Sequence, residues 1–167
     1  AMTSSIENAF GARLMVNGFL LNNQLTDFSF LPNRDAAPIA NRVESGKRPR
    51  SSMAPVLVFD ASGRVVLVIG SPGGSRIIGY VVKALVGVLD WKLDIQAAID
   101  LPNFVNRNGA TELEKGTPIL AIAADLEALG HAVEERDMNS GLHGIAVSRG
   151  TITGGADQRR EGVALGD

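Results

Sequence analysis

The chain has 167 residues, 45% of them hydrophobic and 20% charged, and this length and composition predict one folded domain over residues 1–167. Its 16 basic and 18 acidic side chains give a net charge of -2, and without a long basic run this balance excludes a nucleic-acid-binding surface. The sequence has no cysteine and no stretch of about 20 apolar residues, which excludes disulfides, a thiol nucleophile and a membrane-spanning helix.

The first predicted elements are a short strand and a long loop. Phe19-Leu20-Leu21 is an apolar run closed by Asn22-Asn23, which predicts a buried strand that ends at a turn. Residues Phe28 to Lys47 follow without periodicity and contain two prolines and a glycine, which predicts a loop. Loops of this length are usually lids or mobile segments, and the sequence leaves open whether this one covers a site.

A β-hairpin is predicted next. Pro55 to Phe59 and Val65 to Ile69 are apolar runs, and the segment Asp60 to Arg64 between them is polar and contains a glycine. Both runs are apolar on successive residues, which predicts strands that are covered on both faces in the centre of a sheet.

A glycine-rich turn, Gly70 to Ser75, joins the second of these strands to a helix. Apolar residues recur at helical spacing from Arg76 to Leu89, and Ser75 is the predicted N-cap. Further helices are predicted at 94–100 and 117–129, and further strands at 132–134, 144–148 and 151–153. The sum is an α+β fold with a sheet packed against helices.

The segment from Gly70 to Arg76 is the strongest candidate site. A helix N-terminus has unpaired N–H groups and a positive partial charge, and Gly73-Gly74 let a ligand approach the backbone. Such a turn can hold an anion or an oxyanion. A tight turn without a ligand explains the same glycines, and this alternative stays open on local grounds. A phosphate loop is disfavoured, because neither of the glycine motifs that bind phosphates occurs.

Polar residues at two strand ends are weaker candidates. Ser51 and Ser52 precede a buried strand, where two hydroxyls can donate to a carboxylate, although serines in this position are often plain loop residues. Asn22, Asn23 and Asp27 suit a cationic amine, although an Asp in a turn commonly bonds its own backbone. The two histidines lack metal-ligand spacing, so we expect no metal and no cofactor.

Four strings carry more information together than any of them does alone. They are Glu7–Gly11 (ENAFG), Gly18–Phe28 (GFLLNNQLTDF), Gly46–Pro55 (GKRPRSSMAP) and Gly70–Arg76 (GSPGGSR). In this order and spacing they resemble the γ-glutamyltransferase (γ-glutamyltranspeptidase, glutathione hydrolase) family of N-terminal nucleophile hydrolases. The resemblance covers nearly the whole chain, and it implies most of a small, C-terminal subunit whose α+β fold is a fragment of an αββα sandwich.

The resemblance implies roles for five of these residues. Gly73 and Gly74 match the family's glycines whose N–H groups form the oxyanion hole. Ser51 and Ser52 match the pair that binds the α-carboxylate of the γ-glutamyl group. Asp27 matches the acid that binds the α-amino group of the same substrate.

Three more positions lie near the start of the chain. Glu7 falls where the family has Asn or Glu in contact with the amino-acid end of the substrate, and Ser5 falls where a Thr commonly supports the nucleophile. The nucleophile itself is a Thr freed when a precursor cleaves itself, and by family spacing it belongs upstream of Ser5. Thr3 comes too late and lacks the Thr-Thr-His-like string, so we expect this chain alone to be inactive.

The implied function is γ-glutamyl transfer or hydrolysis of glutathione and related γ-glutamyl amides through a Thr acyl-enzyme. A cephalosporin or glutaryl acylase of the same superfamily and a catalytically dead amino-acid-binding or interaction domain are the alternatives. The expected partners are glutathione or another γ-glutamyl compound and the large subunit of the same precursor. Strand edges left open without that subunit predict self-association into homo-oligomers. The compartment depends on whether the precursor carries a signal peptide.

Overall fold

The computed structural model describes residues 1–8 and 10–166, and the contacts among them divide the chain into two units. The N-terminal unit is Ser4–Ser51, and the main unit combines Ala1–Thr3 with the segment that starts at Ser52. Ala9, which belongs to the first of the four strings, and Asp167 lie outside the described residues. The prediction of one domain over residues 1–167 concerns the whole chain and stays a prediction.

The N-terminal unit is built from short strands and turns. Its regular elements are β1 (Met15–Val16), β2 (Phe19–Leu20), a 3₁₀ helix (Gln24–Asp27), β3 (Asn33–Arg34) and β4 (Ala37–Pro38). The predicted strand at 19–21 is present, but its predicted burial is wrong, since Phe19 is 70% exposed. β2 is only two residues long and pairs with β1. Phe28 is the one described residue of this unit that is buried. The predicted loop at 28–47 is confirmed apart from the hairpin of β3 and β4.

The main unit combines two sheets with three α-helices among its described residues. Its elements are β5 (Val56–Phe59), β6 (Val65–Gly70), a 3₁₀ helix (Gly74–Arg76), α1 (Ile77–Leu89), α2 (Ile95–Asp100), β7 (Phe104–Asn106), β8 (Thr111–Glu114), a 3₁₀ helix (Pro118–Ile122), α3 (Ala123–Ala128), β9 (Val133–Arg136), β10 (His143–Ser148) and β11 (Thr151–Ala156). This mixture of helix and mainly antiparallel sheet agrees with the predicted α+β class.

The larger sheet has the order β11-β10-β6-β5, and all its neighbours are antiparallel. The predicted hairpin is confirmed, with Val58 opposite Leu67. Leu67 and Ile69 of β6 are buried, because β6 lies between two strands and faces the helices. The predicted cover on both faces is wrong for β5: Leu57 and Phe59 are exposed, because α1 and α2 pack on the other face of the sheet.

The second sheet consists of β7, β8 and β9. β8 pairs antiparallel with β7 and parallel with β9. The sequence predicts β9 but neither β7 nor β8, because the polar residues Thr111, Glu112 and Glu114 are more typical of a loop. All four residues of β8 are buried in the structure.

The helices begin close to their predicted starts. α1 starts one residue later than predicted, and the prediction of Ser75 as its N-cap is wrong. Ser75 lies in the preceding 3₁₀ helix, where its Oγ accepts a hydrogen bond from Arg107 Nη1 at 2.7 Å. Asp94 caps α2 by accepting a bond from the N–H of Ala97 at 2.9 Å. The predicted helix at 117–129 is a 3₁₀ helix followed by α3.

The hydrophobic core of the main unit lies between α1, α2 and one face of the larger sheet. Its buried members are Leu67, Ile69, Ile77, Tyr80, Val81, Ala84, Ile95, Ile99, Val105, Met138 and Leu142. The outer side of α1 leaves Ile78 and Val82 exposed, and with Trp91 and Phe104 they line a groove of about 440 Å³. Across residues 1–8 and 10–166, no helix is both long and apolar enough to cross a membrane.

A buried polar network connects β8 to the segment after β11. Arg159 binds the carboxylates of Glu114 and Asp157, the latter at 3.1 Å. Asp157 is 0% exposed and also accepts bonds from Ser140 Oγ at 2.5 Å and from the N–H of Leu142 at 3.2 Å. Burial by itself raises the pKa of Asp157, but these hydrogen bonds and the charge of Arg159 outweigh it and hold the pKa below its usual value.

Candidate functional site

The turn between β6 and α1 has a backbone that favours glycine. Gly73 has a φ of 137° and Gly74 a φ of 58°, both in the region that residues with a side chain rarely adopt. A Cβ at Gly73 would also lie 2.6 Å from Cε2 of Tyr80, a ring buried in the core. The structure therefore requires glycine at 73 on two independent grounds.

The N–H groups of this turn lie just before a helix. Within the described part of the chain, no backbone acceptor takes the N–H of Gly73 or Gly74. The turn leads directly into the 13 residues of α1, whose N-terminal end carries a positive partial charge. Neither α1 nor the 3₁₀ helix before it has a side-chain cap. These properties suit the stabilisation of a developing negative charge on an oxygen.

The start of the turn is held by Ser71, which is buried. Its Oγ donates to the carbonyl of Pro72 at 2.7 Å and accepts from the N–H of Gly141 at 3.2 Å. Gly141 approaches closely, because a Cβ on it would lie 2.7 Å from Cγ of Pro72. The loop before β10 therefore packs tightly on the first half of the turn.

The end of the turn is held by a carboxylate that the sequence analysis missed. Arg76 donates to Glu112 through Nε and Nη2, at 2.5 and 2.8 Å, and Arg107 donates to the same carboxylate at 2.7 Å. The hydrogen bonds from Arg76, then those from Arg107, lower the pKa of Glu112 to about 2. No local pattern marks Glu112, because it lies 36 residues from Arg76 in a strand with a polar sequence.

The N-terminal unit brings together three of the predicted site residues. Ser5 Oγ donates to Asp27 Oδ2 at 3.2 Å, and Gln24 Nε2 donates to the same oxygen. Loss of water around its carboxyl, followed by the charge of Asp27 and a hydrogen bond with it, raises the pKa of Glu7. Ser5, Glu7 and Asp27 thus form one acidic cluster, and Gln24 is a member that the sequence analysis did not assign.

Ser51 and Ser52 lie where the two units divide in the sequence. Ser51 is exposed and ends the N-terminal unit, whereas Ser52 is half-buried and belongs to the main unit. Asn41 links the residue before Ser51 to the acidic cluster. Asn41 Oδ1 accepts a hydrogen bond from the N–H of Arg50 at 2.8 Å, and Asn41 Nδ2 donates to the carbonyl of Asp27 at 2.7 Å. Asn41 therefore fixes the backbone just before Ser51 relative to Asp27, and the sequence did not indicate this role.

Comparison with known proteins covers the whole chain. The gamma-glutamyltranspeptidase family model matches residues 1–167. The chain is 34% identical over 170 residues to a glutathione hydrolase proenzyme of Bacillus subtilis strain 168. It is 33% identical over 167 residues to the acylase ACY 1 proenzyme of Pseudomonas sp. strain SE83. Each match includes 98% of this chain but only 28% or 29% of the relative, so the chain spans less than a third of their length.

The fold is similar to a solved structure of gamma-glutamyltranspeptidase from Pseudomonas nitroreducens complexed with L-DON. The TM-score is 0.80 at 30% identity, and the match covers 99% of this chain and 92% of that chain. Similarity to other solved gamma-glutamyltranspeptidase structures confirms the expected fold, which is part of an N-terminal nucleophile hydrolase.

Proposed function

Because this chain belongs to the gamma-glutamyltranspeptidase family, we propose that it forms part of an enzyme that transfers the γ-glutamyl group of glutathione or a related amide to water or an amino acid. The nucleophile in this proposal is the N-terminal Thr that the family resemblance implies, supplied from outside these 167 residues. Its hydroxyl attacks the γ-carbonyl, its α-amine accepts the proton, and the amide nitrogen leaves with a proton. Water or an amino acid then attacks the acyl-enzyme.

The main unit supplies the oxyanion hole in this proposal. When the carbonyl carbon becomes tetrahedral, its oxygen gains negative charge, and the N–H groups of Gly73 and Gly74 are fixed donors for it. Preorganised donors of this kind stabilise the transition state without reorganising during the reaction, and each contributes about 3 kcal/mol.

Acidic and hydroxyl side chains supply recognition of the donor's amino-acid end. A γ-glutamyl group ends in an ammonium and a carboxylate, and the cluster of Glu7 and Asp27 presents two acids to the ammonium. Ser51 and Ser52 supply hydroxyls for the carboxylate, and Ser5 holds Asp27 in place and supports the nucleophile. The paired acids are the observation that carries the proposal, because a substrate without an ammonium has no use for them.

The large subunit of the same precursor is the proposed protein partner. The relatives are proenzymes more than three times as long as the matching segment. The main unit has strand edges at β5 and β11, and the exposed apolar groove along α1 provides a further surface for a partner. Self-association of this chain through the same edges stays a prediction for the chain without its partner.

A glutaryl or cephalosporin acylase is the second candidate, and the 33% identity to an acylase proenzyme favours it. A glutaryl group has the carboxylate of a γ-glutamyl group but lacks its ammonium. The two candidates therefore differ in whether Asp27 contributes to substrate binding. An amino-acid-binding domain without catalysis is the third alternative and predicts binding of glutamate without turnover.

The experiment compares γ-glutamyl and glutaryl p-nitroanilides on the processed precursor that contains these residues. We expect the γ-glutamyl anilide to be the better substrate, and Asp27→Asn to raise its KM by about 10- to 100-fold, because a charged hydrogen bond contributes about 1.5–3 kcal/mol. KM for the glutaryl anilide should stay within about twofold of wild type. Steady-state release of p-nitroaniline gives both constants.

The matched control is Asp35→Asn, which removes an exposed carboxylate of the same unit, and it should leave both substrates unchanged. A wild-type preference for the glutaryl anilide, insensitive to Asp27→Asn, would establish the acylase instead. Glutamate binding without release of p-nitroaniline from either compound would establish the non-catalytic domain.

The raised pKa of Glu7 predicts a pH dependence of donor binding. The ionised carboxylate attracts the ammonium, and a raised pKa means that this charge is lost at a higher pH than for an ordinary Glu. KM for the γ-glutamyl anilide should therefore rise in acid, beginning at a higher pH than an ordinary Glu would give, and Glu7→Gln should remove most of this rise. KM profiles of both proteins from neutral to acidic pH check it, and parallel profiles would contradict it.

A further inference from the structure

The two glycines of the turn between β6 and α1, here called the oxyanion turn, have no side chains with which to fix their own backbone. Gly73 and Gly74 have no side chains, so the backbone between Pro72 and Ser75 has more freedom than any other pair of residues would allow. No side-chain cap fixes the 3₁₀ helix or α1 from within. The direction of the two N–H groups must therefore be set by contacts from other parts of the main unit.

The contact on the helix side comes from β8. Arg76 is the last residue of the 3₁₀ helix that begins at Gly74, and its N–H bonds back to the carbonyl of Gly73 at 3.3 Å. Two parallel hydrogen bonds fix its guanidinium to Glu112. Paired bonds of this type determine orientation as well as distance.

A second link runs from the same carboxylate to the neighbouring residue. Arg107 donates to Glu112 Oε1 with Nη2 and to Ser75 Oγ with Nη1, both at 2.7 Å. Both residues that follow Gly74 are thus tied to Glu112, Arg76 directly and Ser75 through Arg107. β7, the strand directly before Arg107, also packs against α1. A Cβ added to Gly79 of α1 would lie 2.7 Å from the side chain of Val105 in β7.

Glu112 is suited to this task by burial and charge. It is 4% exposed, and Arg136 adds a third cationic partner, with Nε 3.2 Å from Oε1. Its low pKa keeps the carboxylate ionised at any pH used for an assay. A buried, permanently charged group with three partners is a rigid anchor.

We propose that Glu112 is a positioning residue for the reaction, and that it fixes the N–H groups of Gly73 and Gly74 through Arg76 and Arg107. This inference rests on the proposed function of the turn. It goes further in predicting that a residue of another sheet, without contact to the substrate, sets the rate of the chemical step.

The central test is Glu112→Gln in the full processed enzyme. We expect kcat for γ-glutamyl p-nitroanilide to fall at least about tenfold, because displacement of oxyanion donors weakens their transition-state bonds. KM should stay within about twofold, because the side chain of Glu112 binds arginines and not the residues proposed to recognise the donor. The loss should be the same across the pH range of the assay. A thermal melt of the same sample shows that the variant is folded at the assay temperature.

Two further variants make the test specific. Glu134→Gln removes an exposed carboxylate from β9 that contacts Arg136 at 2.9 Å, and it should leave kcat unchanged. Arg76→Gln combined with Glu112→Gln should lower kcat no further than Glu112→Gln alone, because Glu112→Gln already breaks the link through Arg76. A multiplicative loss, or a loss in KM instead of kcat, would overturn the proposal.

If Glu112→Gln does not fold, Arg76→Lys decides the question. Lysine keeps the positive charge opposite Glu112 but cannot form two parallel bonds. A fall in kcat at constant KM supports the positioning role, and an unchanged kcat overturns it. The proposed function is tested separately. If the wild-type enzyme acts on neither anilide, the proposed function is wrong. If the wild type is active and Glu112→Gln is as active as wild type, only the positioning role of Glu112 is wrong.

Discussion

Replacing Gly73 with alanine is expected to lower kcat for the γ-glutamyl donor by about 100- to 1,000-fold, the loss typical of one missing oxyanion-hole donor. The new Cβ would lie 2.6 Å from Cε2 of Tyr80, and the Tyr80 ring is 1% exposed in the core and cannot move aside. The φ of 137° is also unfavourable for alanine. The backbone must therefore shift, and the N–H group at 73 shifts with it.

The matched control is Gly63→Ala in the turn between β5 and β6. Gly63 also has a positive φ, 82°, but its added Cβ would have no atom within 4 Å. It therefore reproduces the backbone strain of a glycine replacement without the clash and away from the turn. We expect a kcat close to wild type for the control and a KM close to wild type for both. If kcat of Gly73→Ala stays within about threefold of wild type, the glycines serve only a tight turn, and the oxyanion assignment is wrong.

Asp157→Asn is expected to lower the free energy of unfolding by about 3 kcal/mol, the usual effect of removing one partner of a buried ion pair. Asparagine keeps the shape of the side chain but not the charge that faces Arg159 at 3.1 Å. Its NH2 group also replaces one of the two accepting oxygens, so N–H donors face either Arg159 or the donors of Ser140 and Leu142. Urea denaturation of the processed enzyme measures the difference.

The control for this change is Asp125→Asn, an exposed acid in the first turn of α3, with an expected effect below about 1 kcal/mol. The pKa of Asp157 is lowered in the folded protein, so its contribution is present above the unfolded pKa and is lost as pH falls through the folded pKa. The difference between wild type and Asp157→Asn should therefore shrink in acid. A difference below about 1 kcal/mol at neutral pH would show that Arg159 is satisfied by Glu114 alone.

Features that depend on neighbours in the sequence were predictable. The hairpin of β5 and β6, the glycine turn and α1 follow from apolar periodicity and from the special conformations of glycine, which are local properties. The four strings identified the family for the same reason, since order and spacing along the chain carry that information. The comparisons confirm the family and the fold.

Burial and long-range pairing were decided only by the tertiary structure. β8 has the sequence of a polar loop and yet is fully buried, because arginines from distant segments neutralise Glu112 and Glu114. Ser75 is of a residue type that is common at N-caps, but its hydroxyl accepts a hydrogen bond from Arg107, 32 residues away.

The turn between β6 and α1 shows both limits together. Its two glycines allow the positive φ angles at 73 and 74, which residues with a side chain rarely adopt. Where their N–H groups point depends on Arg76 and on Glu112, 36 residues further along the chain. An ion pair between segments so far apart forms only when the two sheets and α1 have assembled, so no local pattern in the sequence encodes it.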